Sequence, residues 1–351
     1  MYFFNKLFFL LTTTLAFTSL SSFENETLSK QKDAFDLKES EVSIVVSLVD
    51  PSTISKIVEK YYDFEGPVKT TILSIGINDI YLVETENKKY VLRLSRGDKY
   101  LTMTASEFQF ELEWLEFLNQ HEIPVSYPIR RLDNQLYGLI QAPEGPRFFA
   151  LFSYAEGTTD MNVEQAYILG KTLAQLHMAS DKFKTTLNRN HLSIDNLITD
   201  SIKRIKDFFG DTDQKTCAYL DGLAENLTQQ ISELDLDNLN YGIVGGDVHG
   251  HNQHVTKDNH ITMFDFEFCA YGYRVYDIAT FKWSRGSTDI ELWHSFLDGY
   301  QSIRKLSDSE LKAIDIFVKI RNLWWMGIRV TLSESKHKLD AKFWERAFSR
   351  F

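Results

Sequence analysis

The stretch GGDVHGHNQHVTKDNHITMFDFEF, residues 245–268, carries most of the chemistry legible in this chain. Gly242–Val244 predicts a strand that runs into a Gly245-Gly246 bend bearing Asp247. Asn252 follows five residues later, at the start of a second short strand. Lys257–Asn259 supplies a turn, and Ile261–Phe268 predicts a returning strand. On that strand Thr262, Phe264, Phe266 and Phe268 take one side, and Asp265 and Glu267 take the other together. Carboxylates in an apolar strand are costly to bury unless paired or metal-bound. Asp265, Glu267 and the amide oxygen of Asn252 are hard oxygen ligands suited to Mg²⁺. Asp247, on the bend before them, is placed to orient a hydroxyl or accept its proton.

An Asp with an Asn five residues on means nothing alone. Followed by a carboxylate pair on the next hairpin, it has the order used for phosphoryl transfer in protein kinases. The flanking sequence gives this centre two different surroundings. Upstream, Ser52–Tyr62 reads as an amphipathic helix. Strands are expected over Val68–Ser74, Ile80–Glu84 and Tyr90–Leu94, the last two joined by Asn87-Lys88-Lys89. Met103–Gln120 predicts a helix with Phe108, Leu112, Leu115 and Leu118 on one stripe, and strands are expected over Tyr127–Leu132, Leu136–Gln141 and Arg147–Tyr154. From Asn162 the pattern is helical: Asn162–Ala179, Thr216–Glu233, Asp289–Tyr300 and Ser307–Val330. The expected organisation is an extension over residues 1–41, a sheet-rich lobe over 42–156 and a mainly helical lobe over 157–351 that carries the 241–268 insert. The fold class is α+β, and a cleft between the lobes is the expected ligand site.

Gly245–Lys282 resembles the signature of the aminoglycoside phosphotransferase and choline kinase-like family, small-molecule kinases with a two-lobed protein-kinase-like fold. That family's loop usually reads His-Gly-Asp-x-His-x-x-Asn, where this chain has Gly245-Gly246-Asp247-Val248-His249-Gly250-His251-Asn252. The family's Asp-Phe-Asp/Glu element is matched by Asp265-Phe266-Glu267, its Tyr-Asp-Ile-Ala element by Tyr276–Ala279, and its Leu-Gly-x-x-Leu-Ala-x-Leu-His helix by Leu169–His177. The resemblance covers about residues 45–330. It implies ATP and Mg²⁺ as cofactors, Asp247 as the catalytic residue, Asn252, Asp265 and Glu267 at the metal, and a small-molecule hydroxyl as acceptor. Aminoglycosides, choline or ethanolamine, and homoserine are acceptors within this class. Gly245 in place of the usual His is a departure, and it opens the reading of a degenerate kinase that only binds.

The nucleotide is expected on the sheet-rich lobe. The turn Ser74-Ile75-Gly76-Ile77-Asn78-Asp79 resembles the family's nucleotide loop, with the single glycine Gly76 and with Asn78. The third strand of a kinase-like lobe supplies a cation for the phosphates, and Arg93 holds that place. Arg keeps the charge of the more usual Lys but changes the geometry. Glu111 shares the apolar stripe of its helix by helical spacing, so an acid on the core side needs a cation, and Arg93 is the natural one. The acceptor is expected near Asp277–Arg285, with Trp293, Trp324 and Trp325 as aromatic surface for a quaternary ammonium.

The chain has 351 residues, 43% hydrophobic and 25% charged, with 26 Phe, 16 Tyr and 6 Trp, which excludes a disordered chain. Two Cys exclude a disulfide scaffold and a cysteine-built zinc module. A net charge of −11 argues against a nucleic-acid backbone binder and is compatible with a cationic substrate. Gly170-Lys171-Thr172 looks like the end of a Walker loop, but Gln165 stands where the first glycine belongs and the segment lies inside a helix. His177 on the same helix reads as a packed, hydrogen-bonded core residue. His249, His251 and His254 form the chief rival centre, a zinc site for a metal-dependent hydrolase.

At the N-terminus, Lys6 precedes the apolar run Leu7–Phe17, with Ser19 and Ser21 beyond it, as in a secretory signal. The run is shorter than the ~20 residues a bilayer span needs. ATP is a cytoplasmic substrate, and the two Cys give no sign of an oxidising destination. The expectation is a cytoplasmic enzyme whose first ~40 residues lie outside the kinase fold.

Overall fold

A computed structural model of the chain describes residues 44–96, 103–210, 213–286, 288–332 and 339–351. The signal-like segment lies outside them. Pro51–Tyr61 forms α1, started by Asp50, whose carboxylate accepts from Ser52 N at 2.8 Å, with Pro51 in the first turn. Three strands follow: β1 Lys69–Ile75, β2 Asn78–Glu84 and β3 Lys89–Ser95. Next come α2 Ala105–Gln120, opened by a Thr104–Glu107 capping box, then β4 Gly138–Ala142 and β5 Gly145–Ser153. The five strands form an antiparallel sheet in the order β1-β2-β3-β5-β4. Ile54 and Val58 of α1 pack with Tyr81, Val83, Leu92 and Leu94 of β2 and β3 in a first core.

The remainder is mainly helical: α3 Val163–Ser180, α4 Ile194–Leu197, α5 Thr199–Phe209, α6 Gln214–Ser232, α7 Val275–Phe281, α8 Ile290–Ile303, α9 Asp308–Arg329 and α10 Ala341–Phe348. Five short strands are set among the helices: β6 His191–Leu192, β7 Tyr241–Val244, β8 Gln253–Val255, β9 Ile261–Met263 and β10 Ala270–Tyr273. β7 and β6 flank β10, while β8 and β9 make a hairpin. The α+β class expected from the sequence is therefore observed. The second core draws on these helices and on α2, whose Phe110 and Trp114 meet Tyr271 and Phe266 edge-on at 5.7 and 5.4 Å. Backbone bonds tie the segments on either side of β5 to the hairpin: Ser126 N to Met263 O at 2.8 Å and Val255 N to Thr158 O at 2.8 Å.

Two expected strands differ. Tyr127–Leu132 forms only an isolated bridge, Pro128 with Phe152, because a proline has no N–H for a ladder. The expected strand Ile261–Phe268 ends at Met263. Asp265 has φ +64°, and Cys269 N closes a turn on Phe266 O at 2.8 Å. The chain resumes as β10, paired with β7. Asp265 and Glu267 therefore project from a turn and not from a pleat; Asp is among the few residues that tolerate this left-handed conformation.

Gly170 lies where α3 crosses α8. A Cβ there would sit 1.9 Å from Phe296 O, and one at Gly299 would sit 2.0 Å from Tyr167 O. The glycine of the Walker-like triplet is thus a contact point between helix backbones, and Lys171 beside it is exposed. Gly170→Ala is expected to destabilise the protein by about 1–3 kcal/mol or more through overpacking, whereas Lys171→Gln stays within about 0.5 kcal/mol; urea unfolding of the two variants checks both values.

Candidate active site

The loop that follows β7 is held at both ends. At its start Gly245 N and Gly246 N donate to the two oxygens of Asp277, at 2.6 and 2.9 Å. Asp277 belongs to α7 and is fully buried. Gly246 has φ +78°, and a Cβ there would lie 2.0 Å from Phe268 O, so the bend requires glycine. A Cβ at Gly245 would lie 2.6 Å from the Val248 side chain. At the far end Gly250 N donates to Ser284 Oγ at 2.8 Å, and Gly250 O accepts from Arg285 Nη2 at 2.6 Å. Ser284 and Arg285 lie on a π-helical turn, Lys282–Gly286, that continues α7. Such wide turns recur at functional sites.

His177 joins the same anchor. Its Nε2 lies 3.1 Å from Asp277 Oδ2 and its Nδ1 2.9 Å from the Tyr300 hydroxyl, which accepts from Arg304 Nη1 at 2.9 Å. All three contacts are satisfied when Nε2 carries the imidazole proton and Tyr300 donates to Nδ1. Burial, opposed by Asp277, keeps the His177 pKa below its ordinary value. The sequence reading of His177 as a core residue stands, but its hydrogen-bonded partner is the residue that shapes the Asp247 loop.

Asp247 is buried on this loop. Arg321 of α9 donates to its Oδ1. Burial works against the Arg321 charge, and the Asp247 carboxylate and Tyr276 more than offset it, so its pKa stands above the ordinary arginine value. Asn252 Nδ2 donates to Asp247 O at 3.0 Å, and Asn252 O accepts from Phe264 N at 3.0 Å, which sets Asn252 beside the chain that enters Asp265. Asp265 is exposed at the face of a cavity of ≈ 360 Å³. Protein packed round its carboxyl is the largest cause pushing it up to about 7; the Glu267 charge adds to this and Arg93 opposes it.

The apolar wall of that cavity includes Ile80, Val91, Phe152 and Phe264, and its charged end holds Arg93, Glu111 and Asp265. Arg93 donates from both terminal nitrogens to the two Glu111 oxygens, each at 2.7 Å, with Glu111 fully buried. Burial disfavours the Arg93 charge and Glu111 outweighs it, so the guanidinium lies above its usual range. Phe108 and Phe152 rings flank it at 5.4 and 5.0 Å. Asn78 is buried and donates to Glu267 Oε2, tying the first hairpin to the Asp265 turn. Gly76 does not line the cavity; Leu73 and Ser74 of β1 do. A Cβ at Gly76 meets nothing within 4 Å, so no close approach demands glycine there.

Other expectations are corrected. His254 does not join His249 and His251: its Nδ1 lies 2.7 Å from Ala155 O and its ring meets Phe264 edge-on at 4.8 Å. Among the described residues no group of three or more His, Cys, Asp or Glu side chains could hold a metal ion. The zinc alternative therefore lacks its ligand set. Asp265 and Glu267, with the Asn252 amide, are a smaller set of hard oxygens, of the kind that holds Mg²⁺ only when phosphate oxygens complete the shell. Trp293 and Trp324 are buried in the core. Trp324 still packs on Arg321 from the core side, 4.6 Å away, while Trp283 and the expected Trp325 line a second cavity of ≈ 260 Å³ with Arg321, His249 and Arg350. Arg321 is the residue that sequence reasoning missed; Asp277 and Trp283 fall in the Asp277–Arg285 segment expected near the acceptor, without a role of their own. Asp277 also left a signal inside the Tyr276–Ala279 element.

A family model described as the phosphotransferase enzyme family matches residues 70–308. An uncharacterized protein of Synechocystis sp. is 32% identical over 309 residues, 86% of this chain and 84% of its own. The homoserine kinase of Sinorhizobium fredii is 25% identical over 249 residues, 67% of this chain and 72% of its own. Among solved structures, the amicoumacin kinase hAmiN in complex with AMP-PNP, Ca²⁺ and Ami shares the fold with TM-score 0.68 at 19% identity, covering 86% of this chain and 94% of that one.

Glu111→Gln is expected to cost roughly 3–5 kcal/mol of stability, because it leaves the Arg93 charge buried without a carboxylate. The double variant Arg93→Met/Glu111→Leu is expected to lose far less than the sum of its single changes. A double-mutant cycle in urea measures this, and simple additivity would show that the pair is not one unit.

Proposed function

The chain belongs to the phosphotransferase enzyme family, a family of kinases, and on that footing we propose that it moves the γ-phosphate of ATP, with Mg²⁺, to a hydroxyl of a small molecule. The observation that carries this reading is the meeting of Arg93 and Asp265 in one largely apolar cavity, with Asp247 on an anchored loop beside them. The apolar part of the cavity suits a purine ring. Arg93, fixed in direction by Glu111, is a planar cation for the phosphates. Asn252, Asp265 and Glu267 are the residues that would hold Mg²⁺, and Asn78 steadies Glu267. When bound, the metal neutralises charge on the phosphates. Asp247 orients the acceptor hydroxyl and takes its proton, while Arg321 keeps that carboxylate aimed. Most of the rate is assigned to positioning and preorganised charge.

Gly245 does not weaken the reading. Its backbone N–H is already spent on Asp277, and the packing around Val248 has no space for a side chain. The loop is anchored without the histidine usual at that position. Nucleotide on residues 42–156 and acceptor on residues 157–351 is the division we propose. Among the described residues no helix is long and apolar enough to cross a membrane, and use of ATP fits a cytoplasmic enzyme. The acceptor class spans homoserine, as the name of the Sinorhizobium relative indicates, and other small alcohols.

Asp247→Asn is expected to lower turnover by roughly 10²-fold or more while leaving ATP affinity nearly unchanged; an ADP-release assay beside calorimetry separates the two, and equal turnover would refute the role. Asp265→Ala is expected to abolish the strengthening of ATP binding by Mg²⁺. Calorimetry with and without the metal reads this directly, and an unchanged metal effect would count against Asp265.

A further inference from the structure

The cavity beyond Asp247 has a charge pattern that does not suit a cationic acceptor. Arg321 forms its inner wall, and the guanidinium is held flat by aromatic rings, 4.6 Å from Trp324 and 5.0 Å from Trp283. One Arg321 nitrogen is engaged by Asp247, and Nε has no hydrogen-bond partner. Arg350 stands at the outer wall, exposed, 5.0 Å from the Trp283 ring and donating to Trp283 O at 3.2 Å. Burial alone lowers its pKa, with no carboxylate offsetting it. Arg285 lies behind His251, their nearest nitrogens 3.4 Å apart. Burial holds His249 neutral at about 4, the Asp247 charge being outweighed. Among the described residues, none that lines this cavity is an acid. Asp247, the acid next to it, already has Arg321 as its counter-ion. An ammonium group placed here would meet Arg321 and Arg350 in the lining and, among the described residues, no lining carboxylate; Asp160 acts on His251 only from outside the lining.

Resting on the phosphotransferase reading, we propose that the acceptor is a hydroxy acid. Its carboxylate is held by Arg350 with the Arg321 charge behind it, its carbon body lies against Trp283 and Trp325, and its hydroxyl is turned inward to Asp247. The volume of ≈ 260 Å³ limits it to a small molecule. The transfer balances simply: the hydroxyl oxygen bonds the γ-phosphorus, the bond from phosphorus to the bridging oxygen of ADP breaks, and the hydroxyl proton passes to Asp247 and then to solvent.

The test uses matched pairs differing in charge: γ-hydroxybutyrate against its amino-alcohol counterpart, and hydroxymethyl benzoate against hydroxymethyl benzylamine. Each is titrated into the full chain with Mg²⁺ and a non-hydrolysable ATP analogue. Tryptophan fluorescence reports binding, since Trp283 and Trp325 line the cavity. The acids are expected to bind more tightly than the amines. Arg350→Gln is expected to weaken the acids by roughly 10-fold or more, the worth of a charge-assisted contact, without changing the amines or ATP affinity. Arg350→Glu is expected to invert the preference. Amines binding as tightly as acids, no binding by either acid, or equal loss of both classes in Arg350→Gln would each overturn the proposal. Phosphate transfer from ATP to the same compounds separates this proposal from the reading beneath it. Preferred phosphorylation of the amines would overturn the hydroxy-acid assignment and leave the kinase reading intact. Arg350-dependent binding of the acids with no transfer to either class would count against the kinase reading and overturn the acceptor assignment with it, leaving only an acid-binding cavity.

Discussion

Two backbone N–H groups converge on one buried carboxylate, and the rest of the site takes its position from that contact. Asp277 receives Gly245 and Gly246 on one side and faces His177 on the other. A buried acid is costly unless its oxygens are satisfied, and here three separate elements must come together to satisfy them: the end of β7, the helix α7 and the helix α3. Each contact requires the other two. The chain behind His177 extends the demand to Tyr300, Arg304 and Glu310, so α8 and the start of α9 are bound into it as well. The position of Asp247, one residue beyond Gly246, is therefore fixed by packing across the helical part and not by its own short loop.

The charges in the site come as buried couples. Arg93 has Glu111 and Asp247 has Arg321, and away from the cavities Asp79 of β2 has Arg147 of β5 at 2.5 Å. Removing charges from water costs about as much as such pairs return, so they add little net stability. What they supply is direction. A bidentate pair fixes the plane of a guanidinium, and the aromatic rings around Arg93 and Arg321 restrict it further. Asp265 is the exception, exposed, raised and next to a second acid. Protein packed round its carboxyl is the larger cause of that rise and Glu267 adds to it, and this is the kind of acid the proposed Mg²⁺ would serve.

The sequence showed the parts whose chemistry is local in the chain. The spacing from Asp247 to Asn252 to Asp265 was readable because one loop and one hairpin carry it. The pairing of Arg93 with Glu111 was readable because Glu111 falls on an apolar stripe, where an acid needs a partner. Pleated alternation failed after Met263, since Phe264, Phe266 and Phe268 suggest a strand whether or not the backbone stays extended, and the turn at Asp265 leaves no sign in hydrophobic pattern. Arg321 was hidden differently. It lies on a long helix, 74 residues from the Asp247 it contacts, and an arginine among apolar neighbours there reads equally well as a solvated side chain. Trp283 lies on a π turn, whose wider spacing defeats any argument from helical period.

The overall charge gives the last constraint. A chain with net charge −11 repels an anion at long range, but that repulsion is screened within about 8 Å at physiological salt. On the proposed reading, selection among small acceptors is therefore settled inside the cavity, where Arg321 and Arg350 line the wall beside Asp247. The two cavities divide the arginines between them. On the proposed reading Arg93 faces the nucleotide side and Arg321 the acceptor side, with Asp247 on the loop beside both. Both partners of a transfer to a hydroxy acid would carry negative charge, and bringing them together needs positive charge on each side of the reacting atoms. Arg93 and Arg321 are buried and fixed by carboxylates, so on that reading they would stabilise both anions without any reorganisation of their own.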